Sequence, residues 1–467
     1  VGTTNQALLA AVAAAMAFLP IPHSSSAGQS EMTAFPPGFR WCVSTAAHQV
    51  EGYNTESDWW DWEQVPGHIK NGDKSGPACD HWNRVSEDIG LMKDLNVTTY
   101  RFSIEWAKIE PKPGEWNQEA VDHYKDEIAQ LRAAGIEPMI TLQHFTFPRW
   151  VRAQGGWGWS GIADAFARYT EFVYTNVAPG VRDWITINEP MVTLTLGYGA
   201  GLQPPGLTDL KLAKEPFLGM LRGHAAAYHV LHRLAGERPV RVGVAHHLRV
   251  FDPNSEWNPL DILLSRVLDQ AFNWAFPEAI ETGHAKVSMP FILSINEKIP
   301  GLKGTEDFLG VNYYTRDRIA VDLASPNGFK TLVTAGAPVT DVGWEIYPEG
   351  FHRVLKSLAH RIPGKPIIIT ENGIADADDS KRPLFLLEHL RELTRSIAEG
   401  MPIEGYCHWS LMDNFEWSEG FTPRFGLYAM DYATMARTPR ESARLFAEVA
   451  RLNSLENARA RDVPAPK

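Results

Sequence analysis

Asp183-Trp184-Ile185-Thr186-Ile187-Asn188-Glu189-Pro190 reads as an apolar, β-branched strand that stops abruptly on a polar pair and a proline. Proline has no N–H for a sheet ladder, so the strand ends at Glu189. Ile367-Ile368-Ile369-Thr370-Glu371-Asn372-Gly373 repeats the design nearly two hundred residues later. Unbroken apolar runs of this length are the mark of strands buried on both faces, as in a parallel sheet. Outward from these two, six more runs have the same character, at 40–49, 98–106, 138–144, 240–247, 307–314 and 403–410. Helical stripes lie between them. Asn117 is placed to cap a helix carrying Val121, Tyr124, Ile128 and Leu131 on one face, with Gly135 past its end. Phe351, Val354, Leu355 and Leu358 repeat at helical spacing, as do Leu386, Leu387, Leu390 and Ile397, and Leu445, Phe446, Val449 and Leu452. Eight strand–helix units predict an α/β chain folded as a single (β/α)8 TIM barrel.

Such a barrel needs about 250 residues, and the chain has 467. The surplus falls into long loops at 190–215, 251–300 and 315–345, each after a strand and so on the C-terminal face, where barrel enzymes build their sites. A net charge of −12 argues against a nucleic-acid partner. No apolar stretch approaches the ~18 residues of a membrane span. Cys42, Cys79 and Cys407 are too few for a disulfide framework and form no CxxC pair. Sixteen Trp suit stacking on apolar ligand faces, although a large barrel also buries indoles.

Three segments are expected: a leader at 1–33 outside the fold, the barrel at 34–455, and a tail at 456–467. Val1 to Ser30 contain no Asp, Glu, Lys or Arg, and Ala7 to Leu19 are unbroken apolar. This is either a signal peptide cleaved near Ser25-Ser26-Ala27, which exports the protein, or an upstream extension of a cytoplasmic protein starting at Met32. The missing basic segment favours the extension.

Side chains at the C-terminal ends of barrel strands carry the chemistry. Here the ends read His48-Gln49, Arg101 with Glu105, Gln143-His144, Asn188-Glu189, His246-His247, Asn312-Tyr313-Tyr314, Glu371-Asn372 and His408-Trp409-Ser410. A single polar end is a solvated rim, but eight together are not. Glu189 and Glu371 end strands four and seven, on opposing walls. Two carboxylates converging on one cavity are what glycoside hydrolysis needs, one to protonate the leaving oxygen and one to attack or to activate water. Zinc has less support: there is no HExxH, no His-x-His near the first strand end, and His246 and His247 point to opposite faces of a regular strand. No GxxxxGK[ST] phosphate-binding loop occurs.

The motifs together resemble glycoside hydrolase family 1, the β-glucosidase type of retaining β-glycosidase, over 35–453. The resemblance rests on Thr45-Ala46-Ala47-His48-Gln49-Val50-Glu51-Gly52, Tyr100-Arg101-Phe102-Ser103, Gln143-His144-Phe145, Thr186-Ile187-Asn188-Glu189-Pro190, Asn312-Tyr313-Tyr314, Ile369-Thr370-Glu371-Asn372-Gly373 and the run from His408 to Trp417, in order and each at a strand end. It implies Glu189 as general acid/base and Glu371 as nucleophile. Asn188 would bond the sugar 2-hydroxyl, with Asn312 beside it, and Arg101 and Tyr314 would keep Glu371 ionised, leaving Glu189 the carboxyl with the raised pKa. Gln49, His144, Trp409, Glu416, Trp417 and Phe425 would line the sugar pocket, and Trp344 would be the aglycone platform. The implied partner is a small β-glycoside or short oligosaccharide, with no cofactor and no metal.

Departures from related patterns narrow this reading. The acid/base Glu that myrosinases replace by Gln is intact. Glu416, Pro423 and Phe425 stand where 6-phospho-β-glycosidases carry Ser, Lys and Tyr, which argues against a phosphorylated substrate. A catalytically dead sugar-binding barrel would lack one or both carboxylates, and both are present. A transglycosidase would use the same residues as a hydrolase.

Overall fold

The computed structural model describes residues 33–289, 292–325 and 328–456. Apart from Thr33 and Glu456 at their inner edges, the expected leader and tail lie outside the described residues. The eight strands are β1 (Arg40–Ser44), β2 (Thr99–Ser103), β3 (Glu137–Gln143), β4 (Asp183–Asn188), β5 (Arg241–His247), β6 (Leu309–Tyr313), β7 (Ile367–Asn372) and β8 (Ile403–Trp409). They close into one parallel barrel in which each strand pairs with its sequence neighbours and β1 pairs with β8. The expected (β/α)8 architecture is therefore the observed one.

Helices α1 (His81–Asp94), α2 (Gln118–Ala133), α3 (Ile162–Asn176), α4 (Lys214–Ala235), α5 (Ala275–Thr282), α6 (Pro348–Arg361), α7 (Arg382–Ala398) and α8 (Glu441–Leu452) follow the strands in turn. Asn117 caps α2 by accepting from the N–H groups of Glu119 and Ala120, and Gly135 beyond its end takes a φ of 76°. The predicted stripes face inward: Val121, Tyr124, Ile128 and Leu131 on α2, and Phe351, Val354, Leu355 and Leu358 on α6, are buried. Met139, Ile185, Ala245, Phe308 and Ile368 form a separate apolar cluster inside the barrel, a packed core rather than a pore.

Two expectations need correction. The first strand ends at Ser44, and Ala47–Val50 is a helical turn that carries His48 and Gln49. The second ends at Ser103, where the Glu105 carboxylate caps a turn at Trp106–Ile109 by accepting from Ala107. The long segments after strands are also less loop-like than expected. Val250–Pro253 and Arg316–Val321 continue the β5–β6 pairing above the barrel, and Phe329–Leu332 adds an antiparallel edge. A hairpin of His284–Met289 and Leu293–Lys298 extends the excursion after α5. Cys42 and Cys407, in register on β1 and β8, are joined as a disulfide, while Cys79 is free and buried.

The N-terminal face of the barrel is closed by charge. Asp183 accepts from Arg40 at 2.8 Å and Arg241 at 2.9 Å, and Glu404 takes a second bond from each, at 3.3 and 2.7 Å. Asp183 is only 4% exposed. Removing one partner of a buried pair costs about 3–5 kcal/mol because the other charge is left uncompensated. Asp183→Asn is thus expected to lower the thermal midpoint by several degrees, while kcat/KM at 25 °C stays within about twofold because the site lies at the opposite end. An unchanged melting curve would contradict this.

Candidate active site

The two carboxylates owe their aim to local breaks in strand geometry. Pro190 bars the preceding residue from the right-handed helical region, and Glu189 takes φ 46°, ψ 61°. Its N–H still donates to the Ala245 carbonyl of β5 at 2.8 Å. Strict alternation would send neighbouring side chains to opposite faces; this turn brings both Asn188 and Glu189 to the cavity. In β7 the pairing with β6 slips between Ile369 and Glu371, an irregularity of the kind that re-aims a side chain. Gly373 then lets β7 pass β8, since a Cβ there would lie 1.8 Å from the Trp409 carbonyl oxygen. Phe145 (φ 69°) and Trp417 (φ 53°), which also line the cavity, share the left-handed conformation of Glu189. For side chains without a local hydrogen bond this costs about 1–2 kcal/mol each, strain of the type that collects at working sites.

A continuous hydrogen-bond network joins the two carboxyls. Arg101, fully buried, donates from Nη1 to Glu371 Oε1 at 2.5 Å and from Nη2 to Asn188 Oδ1 at 2.7 Å. Tyr314 donates its hydroxyl to Glu371 Oε2 at 2.6 Å. Asn312 Nδ2 donates to Asn188 Oδ1 at 3.2 Å and to Glu189 Oε1 at 2.9 Å, and its own Oδ1 accepts from Thr370 at 2.6 Å. The amide of Asn188 is therefore fixed, with Oδ1 toward two donors and Nδ2 toward His144 Nε2 at 3.1 Å. Burial, reinforced by the Arg101 charge, holds His144 well below the ordinary imidazole range, so the ring is neutral. With Nε2 accepting, the ring hydrogen sits on Nδ1, a buried atom without a protein partner.

His247 completes the ring of contacts, with Nδ1 at 2.9 Å from Glu189 Oε1. Burial pushes the Glu189 carboxyl up, but the charge and hydrogen bond of His247, then Asn312 and Arg101, outweigh it and hold Glu189 below its ordinary value. Glu371 moves the other way: burial raises it, Arg101 opposes, and the Glu189 charge adds to the rise, to about 7. With an imidazolium at His247 the shared proton would thus sit on Glu371, the reverse of the sequence expectation. His247 touches Glu189 and not Glu371, so its charge acts first on Glu189.

Around this network lies a cavity of about 560 Å3. It is lined by His144, Asn188, Glu189, Tyr314, Trp344, Glu371, Trp409, Glu416, Trp417 and Phe425 among the residues picked out from sequence. Arg101, Asn312 and Gln49 do not line it. The first two stand behind the wall and orient what does. Gln49 spends its amide nitrogen on Asn414 Oδ1 and the Phe415 carbonyl, both at 2.8 Å, which leaves Oε1 buried and unpartnered. Trp417 is stacked between His48, 5.7 Å away and 9° off parallel, and His144, at 5.9 Å and 13°. Trp344 packs on Tyr314 and Phe425 at 5.7 and 6.2 Å. Trp409 Nε1 reaches Glu416 Oε1 at 3.4 Å. Burial, reduced by the Trp409 bond and reinforced by the charges of Glu371 and Asp413, raises Glu416 to about 8.

The residues that went unrecognised as site members are chiefly on the loop side: Arg249, Phe272 and Val192 line the same cavity, as does His247. His247 was visible as a polar strand end but was weighed only as a metal ligand. The two histidines do point apart as strand geometry requires, His246 to Glu306 at 3.0 Å and His247 to Glu189. Among the described residues no group of three or more His, Cys, Asp or Glu side chains is arranged to hold a metal ion.

The sequence model of Glycosyl hydrolase family 1 matches residues 31–455. The chain belongs to glycosyl hydrolase family 1. Among family relatives, Beta-glucosidase A of Thermotoga maritima is 35% identical over 453 residues, spanning 91% of this chain and 99% of that protein. A Beta-galactosidase of Pyrococcus woesei is 30% identical, spanning 90% of this chain and 98% of its own length. The solved structure of the Thermotoga maritima family 1 glycoside hydrolase complexed with a cyclophellitol analogue transition state mimic matches with a TM-score of 0.85 at 34% identity, covering 91% of this chain and all of that one. Both the fold and the glycoside-hydrolase class of this family 1 chain agree with the reading of its strand ends.

Proposed function

We propose that the protein is a retaining exo-β-glycosidase that hydrolyses β-D-glucosides, and β-galactosides or β-fucosides at lower preference, through a covalent glycosyl-enzyme. The observation that carries the proposal is the asymmetry of the two carboxyls within one hydrogen-bond network. Glu371 faces a guanidinium and a phenol, both donors that favour its anion. Glu189 faces an amide and an imidazole through Oε1 alone, which leaves Oε2 free to carry a proton toward the cavity. Glu371 attacks the anomeric carbon as Glu189 protonates the departing oxygen; Glu189 then takes a proton from the water that releases the sugar. Asn188 bonds the 2-hydroxyl, His144 Nδ1–H takes a further hydroxyl, Gln49 braces the Asn414–Phe415 segment behind the wall, and Trp409 and Trp417 with Phe425 form the apolar walls. Trp344 stacks on the aglycone. Names carried by the relatives, β-glucosidase and β-galactosidase, support the substrate class. Hydrolysis of p-nitrophenyl β-D-glucoside, faster than of the β-galactoside and β-fucoside, is the expected result. No turnover of any of the three would refute the proposal.

Glu416 reaches the far end of the bound sugar. Its truncation removes contacts whose energy helps reach the transition state. Glu416→Ala is therefore expected to lower kcat as well as raise KM, by about 10^2-fold or more in kcat/KM if two hydrogen bonds of about 1.5 kcal/mol each are lost. Glu416 places a carboxyl, not a cation, at that end of the pocket, so a 6-phosphoglucoside should be cleaved far more slowly than the plain sugar. Equal rates on both would contradict this description of the pocket.

A further inference from the structure

Which carboxyl carries the proton turns on His247, and the ring nitrogen far from Glu189 is not free. His247 Nε2 receives Arg249, with Nη2 at 3.2 Å and Nε at 3.4 Å. A guanidinium has donors only and keeps its charge, so the nitrogen it faces must be an acceptor. The ring is then left with one hydrogen, on Nδ1, donated to Glu189 Oε1. We infer that Arg249 is a positioning residue for the acid/base step: it locks His247 as the neutral Nδ1–H form and so keeps the working proton on Glu189.

One proton can be divided between Glu189 and His247 in two ways. In the first, Glu189 is a carboxylic acid and His247 is neutral; in the second, Glu189 is an anion and His247 an imidazolium. The second cannot protonate a leaving oxygen. It would also aim a ring N–H at guanidinium N–H groups and set two cations side by side, so Arg249 selects the first. Arg249 is itself held. Its Nη1 donates to Asp317 at 2.7 Å, and its backbone N–H and C=O are clamped by Asn273 at 3.1 and 2.7 Å. Its guanidinium lies 5.5 Å from the Phe272 ring centre. Phe272, edge-on at 5.7 Å, and Tyr314, at 5.8 Å, fix the plane of the imidazole. Glu371, Arg101 and Tyr314 also face this pair, with Asp317 behind Arg249, and Lys70, His144, Asp341, Glu416 and Glu419 line the rest of the same cavity. During the cycle Glu189 gives its proton to the glycosidic oxygen and regains one from water. His247 keeps its single hydrogen throughout, and its Nδ1–H supports the carboxylate in between.

This inference rests on Glu189 being the acid, so its test separates the two claims. Acid assistance matters for a poor leaving group and little for a good one. Arg249→Met is expected to lower kcat/KM for methyl β-D-glucoside about 30-fold and for 2,4-dinitrophenyl β-D-glucoside less than about threefold, a partial form of the 10^2–10^4-fold loss of a general acid. Adding His247→Asn should restore most of the loss on the methyl glucoside, because an asparagine amide still donates to Glu189 and cannot take its proton. Equal losses on both substrates, no loss, or no recovery in the double variant would each overturn the role of Arg249. Glu189→Ala serves as the control. If it fails to separate the two substrates, the assignment of Glu189 falls; if it separates them and Arg249→Met does not, only the inference about Arg249 falls. A measurement on the unmodified enzyme needs no variant to work in catalysis. In a spectrum of 15N-histidine-labelled protein at pH 6, with His247 assigned by its loss in His247→Asn, one protonated and one bare ring nitrogen are expected. Two protonated nitrogens would overturn the inference.

Discussion

Glu371→Ala is expected to cut kcat/KM for aryl β-glucosides by at least about 10^4-fold, the scale of losing a nucleophile that acts as one unit with its partners. Nothing else in the network can take its place. Arg101 and Tyr314 are donors, and Asn188 Oδ1 already accepts from Arg101 and Asn312. The space vacated beside Arg101 suits a small anion. Azide placed there attacks from the face opposite the leaving group, and one inversion gives the α-glycosyl azide from substrates that already have a good leaving group. Recovery of the β-azide instead would mean that the nucleophile lies elsewhere.

Glu189→Ala is expected to behave differently. Loss of the acid should cost about 10^3-fold on alkyl glucosides and far less on dinitrophenyl glucosides in the first step, since general acid–base catalysis contributes 10^2–10^4-fold and good leaving groups need little of it. Breakdown of the intermediate lacks its base, so the glycosyl-enzyme on Glu371 accumulates. Azide, which needs no deprotonation, then attacks it, and two inversions give the β-azide. Opposite anomers from the two variants support both roles at once; the same anomer from both would reassign the pair or make the enzyme inverting. In the parent enzyme, kcat/KM should follow a bell-shaped pH profile. Its acidic limb reports the anion of Glu371 and its basic limb the acid form of Glu189, as macroscopic values of a coupled pair. Glu189→Gln that left the basic limb in place with activity intact would contradict the assignment.

The barrel was legible because its signals are periodic. Eight apolar runs separated by helical stripes allow few alternatives, and Asn117 and Gly135 marked the ends of α2. Glu189 and Glu371 were legible because a proline and a glycine punctuate the strand ends just beyond them. What escaped the sequence was geometry that periodicity does not encode. The left-handed turn at Glu189 and the register slip before Glu371 bring neighbouring residues into one cavity against strand alternation. Gln49 reads as a strand residue yet sits on a helical turn. Cys42 and Cys407 lie far apart in the chain, and only closure of the barrel makes them neighbours. Arg249 and Phe272 come from the excursion after β5, where no motif marks which side chains turn back to the site. The direction of proton sharing was expected from the Arg101 charge beside Glu371, but the contact of Arg249 with the far nitrogen of His247 was out of reach for the same reason.

Glu371 attacks the anomeric carbon as Glu189 protonates the departing oxygen, and the reaction passes through a covalent intermediate. The most direct test is the configuration of the sugar when it is first released. Proton NMR of the wild-type enzyme turning over an aryl β-D-glucoside, recorded before mutarotation advances, should show β-glucose first, with the α anomer growing in later. Release of α-glucose first would contradict the account.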